Sequence, residues 1–249
     1  MERFVRQMQI PGFGERAQER LSKSRVLIVG LGGLGSPAAM YLAAAGVGRL
    51  GLMDDDTVAA SNLNRQILFG VSDLGRPKTE AAAKVLSRIN PTLDCRLITE
   101  PFGPNTHPGL LREYDLALDC TDRLESKLCL NDLCLTAGLP FVHAGAAGFG
   151  GQLMTVLPGE GPCLRCLLSD KVDGSNLPAG GGIIGPVAGV IGTLQALEAM
   201  KYITGIGDLL VGRALQFDGR SGEWSEFTVR CGPECTFHGA AKLKKGASE

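Results

Sequence analysis

Apolar and polar positions come in blocks along this chain, and the blocks alternate between two periods. Arg25-Val-Leu-Ile-Val-Gly30 is a short β-branched run, the pattern of a strand buried on both faces. Gly30-Leu-Gly-Gly-Leu-Gly35 follows, then an Ala-rich helical stretch from Pro37 to Ala45 that Gly46 ends. Arg49 to Met53 reads as a second strand running into Asp54-Asp-Asp56, and Pro77 to Asn90 as a helix stopped by Asn90-Pro91. Further strands are predicted at Leu93–Thr99, Asp115–Asp119 and Phe141–Ala144, with a helix from Asp122 to Ala137 between the last two. Beyond residue 145 the pattern changes. Gln152–Leu157, Ala214–Asp218 and Trp224–Val229 read as strands separated by polar turns, with a long helix from Pro186 to Ile203 among them.

The expected fold is α/β: a Rossmann-like, doubly wound, mostly parallel sheet with an antiparallel extension in the C-terminal half. No linker or repeat interrupts it. One domain is expected over 1–240, made of an N-terminal arm (1–22), a nucleotide-binding half (23–145) and a C-terminal half (146–240). A flexible tail (241–249) follows. Gly174 to Gly185, with Pro178 and three successive glycines, reads as a flexible loop.

The chain's 249 residues carry 25 Lys plus Arg against 26 Asp plus Glu, a formal net charge of -1, which offers no general field for nucleic acid or an anionic membrane. No apolar run is long enough for a membrane span, and no signal-like segment opens the chain. A cytoplasmic protein is expected, and its eight cysteines then read as metal ligands, nucleophiles or buried thiols before disulfides.

Gly30-x-Gly32-x-x-Gly35 lies between a strand and a helix, where glycines let the backbone approach a phosphate and the helix N-terminus offers free N–H groups. Asp54, 19 residues past Gly35, can accept from ribose hydroxyls. These two features suit NAD and ATP alike. Arg65 in Ser61-Asn-Leu-Asn-Arg65-Gln66, and Lys78 just inside the next helix, suit a triphosphate with a developing pyrophosphate. Asp119-Cys-Thr-Asp122 ends a strand at the same sheet edge, where a carboxylate can hold Mg²⁺. Taken singly, Asp122 also reads as a helix cap, and Arg65 and Lys78 as surface cations.

Cys163-Leu-Arg-Cys166 and Cys235-Thr-Phe-His238 form a CxxC and a CxxH, which brought together give a closed Cys₃His zinc site. Cys231 lies close enough in sequence to compete, and a metal-free set of thiols is the other reading. A redox CxxC is disfavoured because the pattern predicts no helix directly after Cys163. Cys95, Cys120, Cys129 and Cys134 read as buried small hydrophobes.

Together these motifs resemble the ThiF/MoeB/HesA adenylyltransferases, bacterial relatives of ubiquitin-activating enzymes. The resemblance continues through Gly148-Phe-Gly-Gly-Gln152, Gly182 to Glu198 and Phe217-Asp-Gly219, and covers about Arg3 to His238. The wording of these later motifs most resembles the ThiF, or thiamine, branch.

What the resemblance implies is ATP-dependent adenylation of the C-terminal Gly carboxylate of a ubiquitin-like sulfur carrier protein. Gly32, Gly33 and Gly35 would cradle the nucleotide, with Asp54 on the ribose and Asp56 and Ser61 beside it. Asn62, Arg65 and Lys78 would contact the triphosphate, and Asp122 would coordinate Mg²⁺. Arg6 would reach the ATP site of a partner subunit, which implies a homodimer. Family members usually carry two CxxC pairs, so His238 stands where a Cys is usual. They often carry a Cys in the mobile loop where this chain has Pro178, so no covalent carrier intermediate through that loop is expected.

Three other readings remain at this stage. They are an NAD(P)-dependent oxidoreductase, a carrier-binding scaffold, and a relative that activates a carboxylate on modified tRNA. Gly145 to Gly151 and the loop Asp170 to Gly181 are expected to leave room for the carrier's tail.

Overall fold

A computed structural model describes residues 2–169, 182–232, 235 and 237. The arm is helical, with α1 at Val5–Met8 and α2 at Gly14–Lys23. The next elements are β1 (Arg25–Val29), α3 (Gly35–Ala45), β2 (Arg49–Met53), α4 (Lys78–Ile89), β3 (Asp94–Ile98) and a short α5 (Pro108–Leu111). They are followed by β4 (Leu116–Asp119), α6 (Leu124–Ala137), β5 (Phe141–Ala147), β6 (Gly150–Val156), α7 (Leu164–Ser169), α8 (Gly185–Thr204), β7 (Arg213–Asp218) and β8 (Glu223–Thr228).

Eight strands form one sheet in the order β3-β2-β1-β4-β5-β6-β7-β8. The strands from β3 to β5 are parallel, and β6, β7 and β8 join antiparallel, as the sequence predicts. The chain leaves β1 toward β2 and β3, then returns on the other side of β1 as β4. This reversal opens a crevice at the carboxyl ends of β1 and β4, the usual ligand position in such sheets.

Both faces of the central strands β1, β2 and β4 are covered, which is why they read as mostly apolar runs, whereas the edge strand β3 is largely exposed. One core gathers Val26, Ile28, Leu116, Leu118 and Val142 with Ala38, Leu42, Ile191 and Ala199 from α3 and α8. The other gathers Leu27, Val29, Phe141 and Met154 with Leu111, Leu130, Leu164 and Leu167 from α5, α6 and α7. Where α3 and α8 cross, a Cβ on Gly192 would overlap Leu34 O, so the two helix backbones touch there.

Four expectations change. α6 starts at Leu124, which leaves Asp122 in the preceding turn and not in the helix. Gly145–Ala147 and Gly150–Gly151 are paired strand residues of the β5–β6 hairpin and not a loop, since the register matches Ala147 with Gly150. A helix, α7, does follow Cys163 directly. Cys95 and Cys129 are half-buried, while Cys120 and Cys134 are buried as expected. Asp170–Gly181, the tail and Pro178 lie outside the described residues. No helix among the described residues is long and apolar enough to cross a membrane.

Candidate active site

The glycine loop crosses the carboxyl end of β4 at contact distance. Gly30 has φ +94°, and a Cβ there would sit 2.6 Å from Cys120 O and 3.3 Å from Thr121 N. A Cβ on Gly35 would overlap Gly30 O, so the loop closes tightly on itself before α3 starts. Leu31 N donates to Asp54 Oδ2 at 2.7 Å. The N–H groups of Gly32, Gly33 and Leu34 find no acceptor among the described residues. They sit at the N-terminus of an 11-residue helix, an arrangement suited to phosphate oxygens.

Asp54 is nearly buried, with 8% of its side chain exposed. Burial raises its carboxyl from the ordinary value, opposed by the Leu31 N–H and by Lys78. Lys78 Nζ donates to Asp56 Oδ2 at 2.7 Å and lies 3.4 Å from Asp54 Oδ1. The cation predicted to meet phosphate is thus held by two carboxylates at the strand end.

Arg65 reaches the loop from the other side. A Cβ on Gly33 would lie 3.6 Å from Arg65 Cγ and 3.0 Å from Ala188 Cβ on α8. Arg65 Nη1 donates to Ser61 O at 2.8 Å and to Asn64 Oδ1 at 3.0 Å, which curls the exposed Ser61 segment around the guanidinium. Asn62 accepts from Ala59 N at 3.1 Å through its side-chain oxygen and shapes the same turn. Gln66 is buried, stands near Gly32, and its Oε1 has no partner among the described residues. A buried acceptor beside free N–H groups fits a polar ligand in the crevice.

Asp122 is exposed on the turn after β4, and its carboxylate makes no hydrogen bond or ion pair among the described residues. Beneath it lies Asp119, fully buried. Burial would raise the Asp119 carboxyl, but Lys127, His143 and Thr121 outweigh that and hold it at about 2. An ionised Asp119 must accept, so His143 Nδ1–H donates to Oδ2 at 2.7 Å. Burial also lowers His143 from its ordinary value against the pull of Asp119, which keeps the ring neutral. Gln195 Nε2 donates to Asp119 O at 3.0 Å and Val142 O at 3.1 Å, fastening the ends of β4 and β5 to α8.

Arg6 is exposed on α1. The arm packs on the far end of α3, where Gln7 Nε2 donates to Ala45 O at 2.8 Å and Arg3 Nη1 to Asn90 Oδ1 at 2.8 Å. An 11-residue helix, roughly 16 Å long, separates that end from the glycine loop. Arg6 is not brought to the site of its own chain.

The cysteines from the two ends of the C-terminal half do converge. The sulfurs of Cys163, Cys166 and Cys235 all lie within 4.8 Å of one another, with 3.9 Å between the first two and 3.6 Å from Cys163 to Cys235. Zn–S bonds of about 2.3 Å at tetrahedral angles require sulfurs about 3.8 Å apart. Gly232 N donates to Cys166 Sγ at 3.3 Å. Cys231 is exposed and not one of the three, and His238 lies outside the described residues. Although α7 follows Cys163, burial pushes that thiol up to about 12, opposite to the lowered thiol of a redox pair.

The ThiF family profile matches residues 4–237. The sulfur carrier protein ThiS adenylyltransferase of Escherichia coli (strain K12) is 40% identical over 240 residues, which span 96% of this chain and 95% of that relative. The adenylyltransferase and sulfurtransferase MOCS3 of Bos taurus is 43% identical over 232 residues, 92% of this chain but 51% of the relative. The chain therefore spans about half of MOCS3. In three dimensions it resembles E. coli MccB, solved with ATP, at a TM-score of 0.81 and 23% identity over 95% of this chain and 74% of MccB. That last likeness is one of fold. A profile match that begins at residue 4 and runs to residue 237, together with a relative aligned nearly end to end, makes this chain a member of the ThiF family.

Proposed function

We propose that this protein is an ATP-dependent adenylyltransferase acting on the C-terminal Gly carboxylate of a ubiquitin-like sulfur carrier protein. One observation carries the reading: the glycine loop, Arg65 and the Asp122 turn meet at the sheet's reversal point, in a chain alignable nearly end to end with a ThiS adenylyltransferase.

A carrier carboxylate oxygen attacks the α-phosphorus of ATP, the bond to the bridging oxygen breaks, and pyrophosphate leaves. The chain supplies position and charge to this exchange. The free N–H groups after Leu31 hold phosphate oxygens, and Arg65 and Lys78 neutralise the departing pyrophosphate. Asn62 and Ser61 line the same pocket, and Asp54 and Asp56 lie at its ribose side. Mg²⁺ held by Asp122 would offset the remaining negative charge of the triphosphate. The exposed, unpaired Asp122 carboxylate beside the loop fits that ion. Zn²⁺ fits the three converging sulfurs, with His238 as the fourth ligand, and would be structural. Arg6 acts on the site of a second copy in a homodimer.

The test is ATP–pyrophosphate exchange with Mg²⁺ and either a thiamine-type or a molybdopterin-type Gly-Gly carrier. Exchange is expected with one carrier and lost by at least about 10²-fold in Asp122→Ala. Mixing inactive Arg6→Ala with inactive Asp122→Ala should restore activity, because a mixed dimer holds one intact composite site. A folded wild type that binds ATP but exchanges with neither carrier would overturn the reading.

A further inference from the structure

Beneath the Asp122 turn lies a buried ion-pair cluster that none of the chemistry above uses. Asp119 closes β4 with no exposure, Lys127 on α6 is 8% exposed, and His143 on β5 is 2% exposed. Lys127 Nζ donates to Ala144 O at 2.6 Å and lies 3.3 and 3.4 Å from the two Asp119 oxygens. Asp119 Oδ1 also accepts from Thr121 Oγ1 at 2.7 Å and from Thr121 N at 3.2 Å.

The contacts have a pattern. The turn runs from Asp119 to Leu124, and Lys127 grips both flanks of it, β4 before and its own helix after. A third hold, on Ala144 O, ties the turn to β5. On its other side the turn is fixed by Gly30, whose missing Cβ lets Cys120 O and Thr121 N come close. Within the turn itself, Asp119 is buried and Asp122 faces solvent. Buried ion pairs seldom add net stability over an apolar replacement of the whole set, whereas removing Lys127 alone leaves the Asp119 carboxylate buried with only His143 and Thr121 as side-chain partners. What the ammonium adds is a defined geometry.

We propose that Lys127 is a positioning residue: it fixes the Thr121–Asp122 turn against the glycine loop, so that Asp122 presents its carboxylate to a divalent cation on the nucleotide triphosphate. The inference rests on the adenylation reading for its consequence, but its first readout does not need that reading.

Lys127→Met, Lys127→Arg and Thr121→Val would be compared with wild type in three measurements. The first is amide hydrogen exchange of residues 120–126 without nucleotide. The second is Mn²⁺ affinity, read by electron paramagnetic resonance in the presence of a non-hydrolysable ATP analogue. The third is pyrophosphate exchange as a function of Mg²⁺. Lys127→Met should speed amide exchange in 120–126 selectively and weaken Mn²⁺ binding about 10- to 100-fold, the range known for groups that orient a metal ligand. The pyrophosphate exchange rate should fall with it, while the KM for ATP changes little. Lys127→Arg, which keeps charge and donors, should recover most of the loss.

Wild-type Mn²⁺ affinity and wild-type amide exchange in Lys127→Met would overturn the proposal. So would a loss that follows the urea midpoint and is not recovered by arginine. If Lys127→Met does not fold, Thr121→Val decides: it removes one hydroxyl bond to Asp119 from a half-buried position, and unchanged Mn²⁺ affinity there overturns the proposal as well. If wild type shows no pyrophosphate exchange, the adenylation reading fails by itself, and amide exchange still reports whether Lys127 holds the turn.

Discussion

Lys78 and Asp56 are joined across 2.7 Å yet sit on opposite sides of the protein surface, the lysine side chain 5% exposed and the aspartate 71%. Such a pair parts easily from the solvated side. Asp56 can return to water at little cost, while Asp54, itself nearly buried, keeps the ammonium in place. An incoming phosphate therefore competes with Asp56 for Lys78. Asp56→Asn should bind an ATP analogue about two- to fivefold more tightly, the range expected for loss of one exposed ion-pair competitor. Lys78→Met should weaken it by at least tenfold. Calorimetric titration of both variants checks the order.

Two neighbouring glycines should fail in different ways. An alanine at Gly35 would overlap a backbone oxygen of the same loop, so Gly35→Ala should cost roughly 1–3 kcal/mol of stability, or more. An alanine at Gly33 would meet the buried Ala188 methyl at 3.0 Å and Arg65 Cγ at 3.6 Å, a smaller conflict than the backbone overlap at Gly35. Gly33→Ala should lower the urea midpoint less than Gly35→Ala but weaken ATP-analogue binding more, since the new methyl stands where phosphate must approach the backbone.

Metal content is a separate prediction. Purified protein should carry about one zinc per chain by elemental analysis, and Cys166→Ser should lose it. The apo protein should be less stable by several kcal/mol, because closed zinc sites contribute directly to folding. Chelation at neutral pH should lower the melting temperature, and zinc should restore it. A fully stable, zinc-free protein would refute the assignment.

Acid should weaken the fold in two stages. His143 has a lowered folded pKa, so below about pH 6.5 the unfolded histidine takes up a proton that the buried one does not, and stability falls. Asp119 is held at about 2, so its contribution, on the order of 2 kcal/mol, is complete above about pH 4 and is lost between pH 4 and 2. Urea unfolding at a series of pH values should show both stages. His143→Gln should flatten the first and spare the second, and an unchanged slope between pH 7 and 5 would count against this account.

The central strands were legible because burial on both faces writes itself as apolar runs, and the glycine loop because its spacing is local. α5 and α7 were not, since four and six residues give no helical period. Lys127 and His143 are hidden in the sequence for a different reason. Each is a single polar residue in an apolar stretch, and their shared partner Asp119 lies 8 and 24 positions away. Only the parallel register, which sets Asp119 beside His143, brings them together. Gln66 was within a recognised motif, but its burial depends on how the Ser61 segment folds over the loop. The meeting of the CxxC with Cys235 was legible despite the 72 positions between them, because metal-ligand spacing marks both short motifs.

α8 faces the glycine loop through Ala188 and the turn that ends β7 through Val187, which would lie 3.2 Å from a Cβ on Gly219. These are adjacent residues of one helix, and Gly192 locks that helix backbone-to-backbone against the end of the loop at Leu34. The nucleotide pocket and the antiparallel flank are thus gauged from one ruler. A change of side-chain volume on this helix face would reset the spacing between them in a single step, whereas changes on the outer strands would leave the pocket in register.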